Sequence, residues 1–275
     1  NRDFKPMAAV ANATTILYGT PWHEHTLLAE VKQANIELEH RDGVKRHFRF
    51  DWQEVARHQS NYRTYVEGEL HRLGENHPIF RTQYALLPVS SGGGLFSDAQ
   101  LLSLTGNHPR CRTPRGEQVY IGGLDLGGDS GQSADSSVLT IAELNDNQTT
   151  PDAPGIKVVF HYAWTGLSAA SLIRNVVEAS QAWKLRRLAV DATGMGQPLA
   201  AMLRQSLGSR VVSVVFTHKS KSELGYELLA AAGTGRLKIY ARDGSPESDE
   251  CWHQLEAAAA DYRPDRNLNF YVDPT

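Results

Sequence analysis

The sequence is poor in cysteine: among its 275 residues there are two, Cys111 and Cys251, which belong to no Cys-x-x-Cys pair. We therefore expect neither a disulfide framework nor a structural zinc site. Long hydrophobic runs are also missing, since no stretch approaches the roughly 18 apolar residues of a membrane helix. The N-terminal apolar run is too short for a secretory signal. These absences favour a protein of the reducing cytoplasm.

A strong excess of charge of one sign is also lacking, because the formal net charge is -3. A nucleic acid would therefore have to bind to a local basic patch. The hydrophobic content of 41% and charged content of 21% are those of an ordinary globular protein, not of a disordered, collagen-like or coiled-coil chain. The eleven histidines show no zinc-finger or metalloprotease spacing, and we assign His23 and His25 to the surface. Catalytic triads based on serine or cysteine receive no support.

Composition and the pattern of predicted elements divide the chain into three parts. Residues 1–90 are rich in His, Arg and Glu, and we expect strands at 14–18 and 45–50 and helices at 26–34 and 61–73. Residues 91–118 contain Gly, Pro and Arg and are assigned to a linker with one short helix. Residues 119–275 alternate strand-like and helix-like runs. Since the chain starts at Asn1 and stops in a strand-like segment, we expect a fragment of a longer protein.

The third part predicts a mixed five-stranded α/β sheet flanked by helices. The strands are expected at 119–127, 136–144, 156–164, 188–191 and 211–216, and the last of these is apolar enough to be buried on both faces. Helices are expected at 168–184, 198–207, from a capping box at Ser220 and Glu223 to about 233, and 246–262, with short extended segments at 237–240 and 268–272. Strands joined through helices pair in parallel, so the fourth strand should lie beside the first.

Two aspartates end strands that this topology makes neighbours. Asp125 follows the apolar run of the first strand, and Asp191 follows that of the fourth. Ligands of open α/β sheets bind at the carboxyl ends of the strands, and carboxylates there suit Mg²⁺ or Mn²⁺. Two such ions about 4 Å apart can promote phosphodiester cleavage. The alternative is that each aspartate forms a turn or caps a helix.

Further acids and a glycine-rich loop follow the first strand. Residues 127–135 match neither a P-loop nor a dinucleotide-binding loop, since a strand rather than a helix comes next. Asp135 is a candidate for a further metal ligand or for the cap of a hairpin, and Asp129 is a weaker candidate. The loop 191–196 enters a helix and could hold a phosphate on backbone amides, or it could be an ordinary turn.

Basic residues are concentrated in one part of the chain. Residues 181–242 contain ten basic and three acidic residues, a local excess that suits a polyanion, although scattered Lys and Arg are commonly solvated surface. Lys219 and Lys221 are the best candidates for contacting DNA, because they follow the fifth strand at the edge that carries the acids.

With these residues in view, the sequence resembles the large terminase subunit of tailed bacteriophages, in which an ATPase domain precedes a ribonuclease H-like nuclease domain. The nuclease part is similar in GLDLGG followed by AD, in LAVDATGMG and in KSKSELGYELLAAAGTGRLKIY. The first part is similar to the end of the ATPase domain in ILYGTPW and in NYRTYVEGELHRLGENHPIFRTQY.

The resemblance implies a remnant of the P-loop ATPase domain at 1–90, and a nuclease domain at 119–275 in which Asp125 and Asp191 are catalytic metal ligands. It also implies a third carboxylate in a His-Asp-Asp run near the C-terminus. Asp273 is close to that place, but YVDPT does not match. We therefore expect either a third acid beyond Thr275 or a poor substitute in Asp273. The Walker motifs do not occur in this sequence, so we expect no ATP hydrolysis. The implied partners are double-stranded DNA and, for a full-length protein, the portal and the small terminase subunit, in the cytoplasm of a bacterial host.

Three functions compete at this point. The first is a metal-dependent endonuclease module that cleaves concatemeric DNA during packaging. The second is an actin-like phosphotransferase, whose fold and glycine-rich strand loops are similar. The third is a truncated prophage remnant that binds DNA or a portal without catalysis.

Overall fold

The computed structural model describes residues 14–22, 26–89, 92–127, 136–145, 155–194 and 196–272. They fall into two compact units, one of residues 1–67 and 78–91 and one of residues 68–77 and 92–275. Within the described segments, no helix combines the length and the apolar character needed to cross a membrane.

The first unit is mainly helical. Its helices are α1 (Leu27–Asp42), α2 (Trp52–His58), most of α3 (Ser60–Leu73) and α4 (Pro78–Gln83). Two of the predicted elements are wrong: residues 14–18 and 45–50 form no strand, because a β-prone run becomes a strand only with a partner and none lies beside them in the described part of the chain. Several of their apolar side chains are largely exposed: Ile16, Tyr18, Phe48 and Phe50.

The second unit begins with a short helix and a sheet. Helix α5 (Asp98–Leu104) precedes strands β1 (Val119–Asp125), β2 (Ser137–Asn145) and β3 (Gly155–Trp164), which pair antiparallel in sequence. Helix α6 (Ala169–Ala182) leads to β4 (Arg187–Asp191), which pairs in parallel with β1. The predicted neighbourhood of the first and fourth strands is therefore confirmed.

The remaining elements extend this sheet and cover it. They are α7 (Gly196–Leu207), β5 (Val211–Val214), α8 (His218–Gly233), β6 (Leu237–Ile239), α9 (Pro246–Ala257), β7 (Ala259–Tyr262) and β8 (Leu268–Tyr271). The strand order of the main sheet is β5-β4-β1-β2-β3-β6. The mixed α/β class is as predicted, but the sheet has six strands instead of five, because the short run at 237–239 pairs in parallel with β3.

Three further predictions differ from the structure. The capping box of α8 is formed by Thr217 and Ser220, one turn before the predicted start. Helix α9 stops at Ala257, because the alanine-rich run after it forms strand β7, which pairs with β8 in a hairpin. Strand β5 is not buried on both faces: Val212 is 43% exposed, since β5 lies at an edge of the sheet.

Two apolar clusters enclose the sheet. One includes Leu124, Leu188 and Val190 of the strands with residues of α6 and α7. The other includes residues of α5, α8 and α9 and the buried side chains of Leu95, Phe96 and Leu104. Residues 92–104, assigned from sequence to the linker, therefore contribute buried side chains to the core of the second unit.

Candidate metal and nucleic acid site

Asp125 and Asp191 lie at the ends of two neighbouring parallel strands. The register of β1 and β4 pairs Leu124 with Val190, so Asp125 and Asp191 come next on the two strands. Neighbouring strands lie about 4.8 Å apart. The structure thus brings together two predicted site residues that are 66 positions apart in the chain.

Both carboxylates lie on the same face of the sheet. In β1 the buried residues are Tyr120, Gly122 and Leu124, whereas Asp125 is exposed. In β4 Leu188 and Val190 are fully buried, whereas Asp191 is half-buried. Because side chains alternate along a strand, both aspartates project away from the apolar cluster that buries their neighbours. Solvent, and hence a ligand, can reach them.

A short loop fixes the Asp191 carboxylate. The backbone N–H of Thr193 donates to Asp191 Oδ1 at 2.8 Å. The Thr193 hydroxyl accepts a hydrogen bond from the N–H of Phe216 at 3.0 Å, and the N–H of Ala192 donates to the carbonyl of Val214 at 2.7 Å. These bonds tie the end of β4 to the segment that follows β5.

Gly196 allows α7 to start directly against Asp191. A Cβ at position 196 would clash with the carbonyl oxygen of Asp191 and would lie 3.2 Å from Leu126 Cδ1. Since the first obstacle is backbone, a larger residue could fit only by displacing the end of β4.

The loop after Asp125 begins with a bond to the next strand, because the N–H of Gly127 donates to Ser137 Oγ at 3.1 Å. Three of the predicted candidates, Asp129, Asp135 and Asp273, lie outside the described residues, as do His23 and His25.

The chemistry of the acid pair fits a hard divalent cation. Mg²⁺ in nucleic acid enzymes is commonly held by one or two carboxylates, with water and substrate phosphate completing its shell. Asp125 and Asp191 supply that minimum for one ion. In the described ranges no group of three potential metal ligands occurs, so a second ion would need a ligand from the rest of the chain.

The predicted DNA-contacting lysines lie at the same edge of the sheet. Strand β5 is parallel to β4, and α8 begins at His218, a few residues after the strand ends. Lys219 is largely exposed and lies 3.9 Å from Glu223. Lys221 lies 5.0 Å from the centre of the Phe270 ring.

Lys221 also lines a small cleft with donors from the β7–β8 hairpin. The lining residues are His218, Lys221, Arg263, Asn267, Leu268 and Asn269. The hairpin is fixed to α8 by Ser222 Oγ, which accepts the N–H of Leu268 at 2.8 Å. A Cβ at Gly225 would lie 2.8 Å from Leu268 Cδ2, so α8 needs glycine there for the hairpin to pack closely.

Sequence reasoning missed Gly225 and Arg263, and it named the loop 191–196 without assigning these roles to Thr193 and Gly196. The signal for Gly196 was the Gly-x-Gly of the loop after Asp191, since a glycine at a helix start indicates a close backbone approach. Arg263 had a signal in Pro-Asp-Arg-Asn, a turn-forming run that marks a hairpin.

The profile of the terminase RNaseH-like domain matches residues 122–266, which is more than half of the 275 residues. The chain belongs to this terminase family. The resemblance to large terminase subunits predicted from the motifs is thereby confirmed, and so is the ribonuclease H-like fold class. No curated protein matches the sequence.

The chain is similar to several solved terminase structures. The large terminase nuclease from the thermophilic phage G20c is 16% identical with a TM-score of 0.50, and the match covers 66% of this chain and 89% of that one. The same G20c nuclease with bound magnesium is 16% identical with a TM-score of 0.49, covering 66% and 88%. The large terminase of another thermophilic bacteriophage, in complex with ATP-gamma-S, is 12% identical with a TM-score of 0.57, covering 98% of this chain and 63% of that one.

Proposed function

We propose that this chain is a divalent-metal-dependent DNA endonuclease module of a packaging terminase, which cleaves phosphodiester bonds of concatemeric DNA. The observation that carries the proposal is that Asp125 and Asp191 lie side by side at the ends of two neighbouring strands, where solvent reaches both carboxylates. Membership of the terminase family supports the choice of substrate. It also favours a nuclease over an actin-like phosphotransferase.

Asp125 and Asp191 are the residues that would hold Mg²⁺ or Mn²⁺, in a two-ion arrangement that Asp135 or Asp273 completes. Such ions, when bound, stabilise the negative charge of phosphodiester hydrolysis and favour deprotonation of an attacking water. The Thr193 N–H keeps one oxygen of Asp191 oriented, which leaves the other oxygen for the ion. On this proposal the scissile phosphate would lie at the carboxyl ends of β1 and β4.

Lys219 and Lys221 are proposed to bind the DNA backbone beside this phosphate. Each contributes a positive charge near the start of α8, and Lys221 shares its cleft with Arg263. Phosphate contacts of this kind provide affinity that falls with salt and carries no base specificity.

The domain assignment follows the same proposal. Residues 1–90 would correspond to the end of a P-loop ATPase domain and residues 119–275 to the nuclease domain. The large terminase solved with ATP-gamma-S supports this order, since its match extends over 98% of this chain. The portal and the small terminase subunit are the partners expected of the whole protein in the host cytoplasm.

The test is nicking of supercoiled plasmid with Mg²⁺ or Mn²⁺, combined with calorimetric titration of Mn²⁺. We expect Asp125→Asn and Asp191→Asn each to reduce nicking by up to about a thousandfold and to weaken Mn²⁺ binding. Asp249→Asn, at an exposed position in the first turn of α9, is the matched control and should keep both properties.

Wild-type nicking that persists in Asp191→Asn would remove Asp191 from the mechanism. DNA binding that is sensitive to salt, without cleavage by the wild type at any divalent metal, would instead identify a binding module that has lost catalysis.

A further inference from the structure

The two edges of the main sheet differ in how they are covered. At β6 the chain covers its own edge: the N–H of Gly106 donates to the carbonyl of Ile239 at 2.7 Å, and Thr105 forms a parallel bridge with the same residue. At β5, the opposite edge, no strand of the described segments lies alongside. The β5 edge is therefore open to a further strand.

The ladder determines which groups these are. The carbonyl of Val214 accepts the N–H of Ala192, so Val214 faces β4. Because backbone groups alternate in direction along a strand, Val211 and Ser213 face outward. The N–H of Val211 donates to the carbonyl of Gly208, so the groups of Ser213 are the ones left for a further strand. Within the described segments no backbone group pairs with the N–H or carbonyl of Ser213.

An arginine covers part of this edge without closing it. Arg204 of α7 donates from Nη2 to the carbonyl of Val211 and to the hydroxyl of Ser213, at 3.5 and 3.4 Å. Both bonds are long, and the guanidinium has further donors for a carboxylate.

A groove of about 450 Å³ runs between α7 and the β5 edge. It is lined by Gln197, Ala201, Arg204 and Gln205 of α7 and by Ser213 and Val215. Val212 and Val215 are 43% and 59% exposed, so apolar surface lies on both sides of the open edge. An added strand would bury this surface and pair the outward backbone groups at once.

We propose that the β5 edge binds an extended acidic segment of a protein partner, which adds to the sheet as a further strand. Charge complementarity favours an acidic segment: Arg204 contacts the edge itself, Arg210 directly precedes β5, and Arg187 begins the neighbouring β4. The inference does not depend on nuclease activity.

Two other occupants fit the surface less well. DNA would bring its phosphates against the outward carbonyl oxygens of Val211 and Ser213, which repel anions but accept peptide N–H groups. A second copy paired edge to edge would bring its own Arg204 towards this one, and two guanidinium charges brought close together repel each other.

The experiment uses the full chain and a fluorescein-labelled peptide of about six residues, the usual length of a strand, which alternates glutamate and valine. Binding is followed by fluorescence anisotropy. A peptide of the same sequence with alternate backbone nitrogens methylated keeps the charges but cannot pair as a strand. We expect the methylated peptide to bind at least about tenfold more weakly, as the loss of one to two backbone hydrogen bonds implies.

Ser213→Pro removes the outward N–H and leaves the groups facing β4 in place, and proline is tolerated on an edge strand. It should lower the affinity for the unmethylated peptide by about tenfold. Ser213→Ala should change this affinity by less than about twofold. Arg204→Glu should also weaken binding and abolish its salt dependence. Thermal melts confirm that each variant is folded.

Absence of binding, equal binding of the two peptides, or a Ser213→Pro variant that binds like Ser213→Ala would each overturn the proposal. So would competition by a short DNA duplex that is stronger than competition by unlabelled peptide. Dimerisation in analytical ultracentrifugation that Ser213→Pro abolishes would assign the edge to a second copy. If Ser213→Pro does not fold, the two peptides still decide the matter with the wild type.

Discussion

The central sheet carries two groups of charged side chains that differ in their surroundings. Asp125 and Asp191 lie at solvent-facing strand ends. Arg110, beside β3, is only 10% exposed in its side chain and lies 3.2 Å from Glu247 and 3.8 Å from Asp243. It also donates to the carbonyl of His161 at 3.2 Å.

Aromatic rings complete the surroundings of Arg110. Its guanidinium lies 4.3 Å from the centre of the Phe160 ring, and His161 Nδ1 is 3.0 Å from the Tyr240 hydroxyl. This cluster satisfies most of its own charges and hydrogen bonds, which is the pattern of a structural network. The acid pair concentrates like charge at an accessible position, which is the pattern of a cation site. Substitutions in the two groups should therefore separate activity from stability.

Among substitutions that leave both aspartates in place, the largest effect is expected from Gly196→Ala. The added methyl group meets the carbonyl of Asp191 and must shift the end of β4. A displacement of about 1 Å at a reacting group can cost about a hundredfold in rate, and we expect a loss of that order in plasmid nicking. Gly68→Ala is the control, because a Cβ at that helical position meets no atom within 4 Å. Equal nicking rates for the two variants would show that α7 does not position Asp191.

Arg110→Ala should have the opposite profile. It leaves Asp243 and Glu247 without their arginine and opens a void beside Phe160, and we expect it to lower the free energy of unfolding by about 2–3 kcal/mol. Nicking per folded molecule should remain within about twofold, since no contact with the acid pair is lost. Urea unfolding and nicking of the same samples measure the two effects. An Arg110→Ala variant as stable as the wild type, or one that loses nicking but not stability, would contradict the structural role of the Arg110 cluster.

The pH dependence of stability should depend on the buried histidines. Burial lowers the pKa of His77 and of His161 to about 4, from an ordinary value of 6.5. The unfolded chain binds protons as the pH falls through 6.5 while the folded chain does not. The part of the unfolding free energy that comes from these two histidines is therefore fully present above pH 6.5. It is lost between about pH 6.5 and 4, by up to about 1.4 kcal/mol per pH unit for each histidine.

Replacement of one histidine sharpens this test. His161→Gln should flatten the fall in unfolding free energy over that range, at the cost of some stability at neutral pH. The exposed His253→Gln variant should keep the wild-type slope. Urea titrations at several pH values between 4 and 7 measure the slope of the unfolding free energy against pH. If the slope is the same for the wild type and both variants, His161 is not the group responsible.

The sequence was sufficient to predict the acid pair because local signals agreed. Each aspartate ended an apolar strand, and the right-handed crossover rule allowed few positions for β4. The six-strand sheet and the β7–β8 hairpin were not predicted, because a three-residue strand and an alanine-rich strand carry helix-like or weak local signals. Their strand state depends on partners that are distant in sequence: β3 for β6, and β8 for β7.

The Arg110 cluster was missed for a related reason. Arg110, His161 and Tyr240 lie in three separate segments, and none has an unusual neighbour in the sequence. Their contacts exist because residues 106–111 run beside β3, where the N–H of Cys111 donates to Val159 and that of Ala241 to His108. Such a crossing is decided by tertiary packing, which propensity does not report.

The smallest effects are expected from substitutions of the two lysines. They test whether a lysine packed in the cleft contributes more to DNA binding than an exposed lysine. Lys221 is held against Phe270 in the cleft that contains Arg263, whereas Lys219 is 83% exposed and has Glu223 nearby. Lys221→Gln should weaken DNA binding and reduce the slope of log affinity against log salt by about one. Lys219→Gln should also weaken DNA binding, but by less than about threefold, because solvent and salt screen the charge of its exposed side chain. Fluorescence anisotropy of a labelled duplex at several salt concentrations measures both. If the two variants lose the same slope, the cleft adds nothing to the charge of Lys221, and the DNA follows the exposed surface of α8 instead of the hairpin.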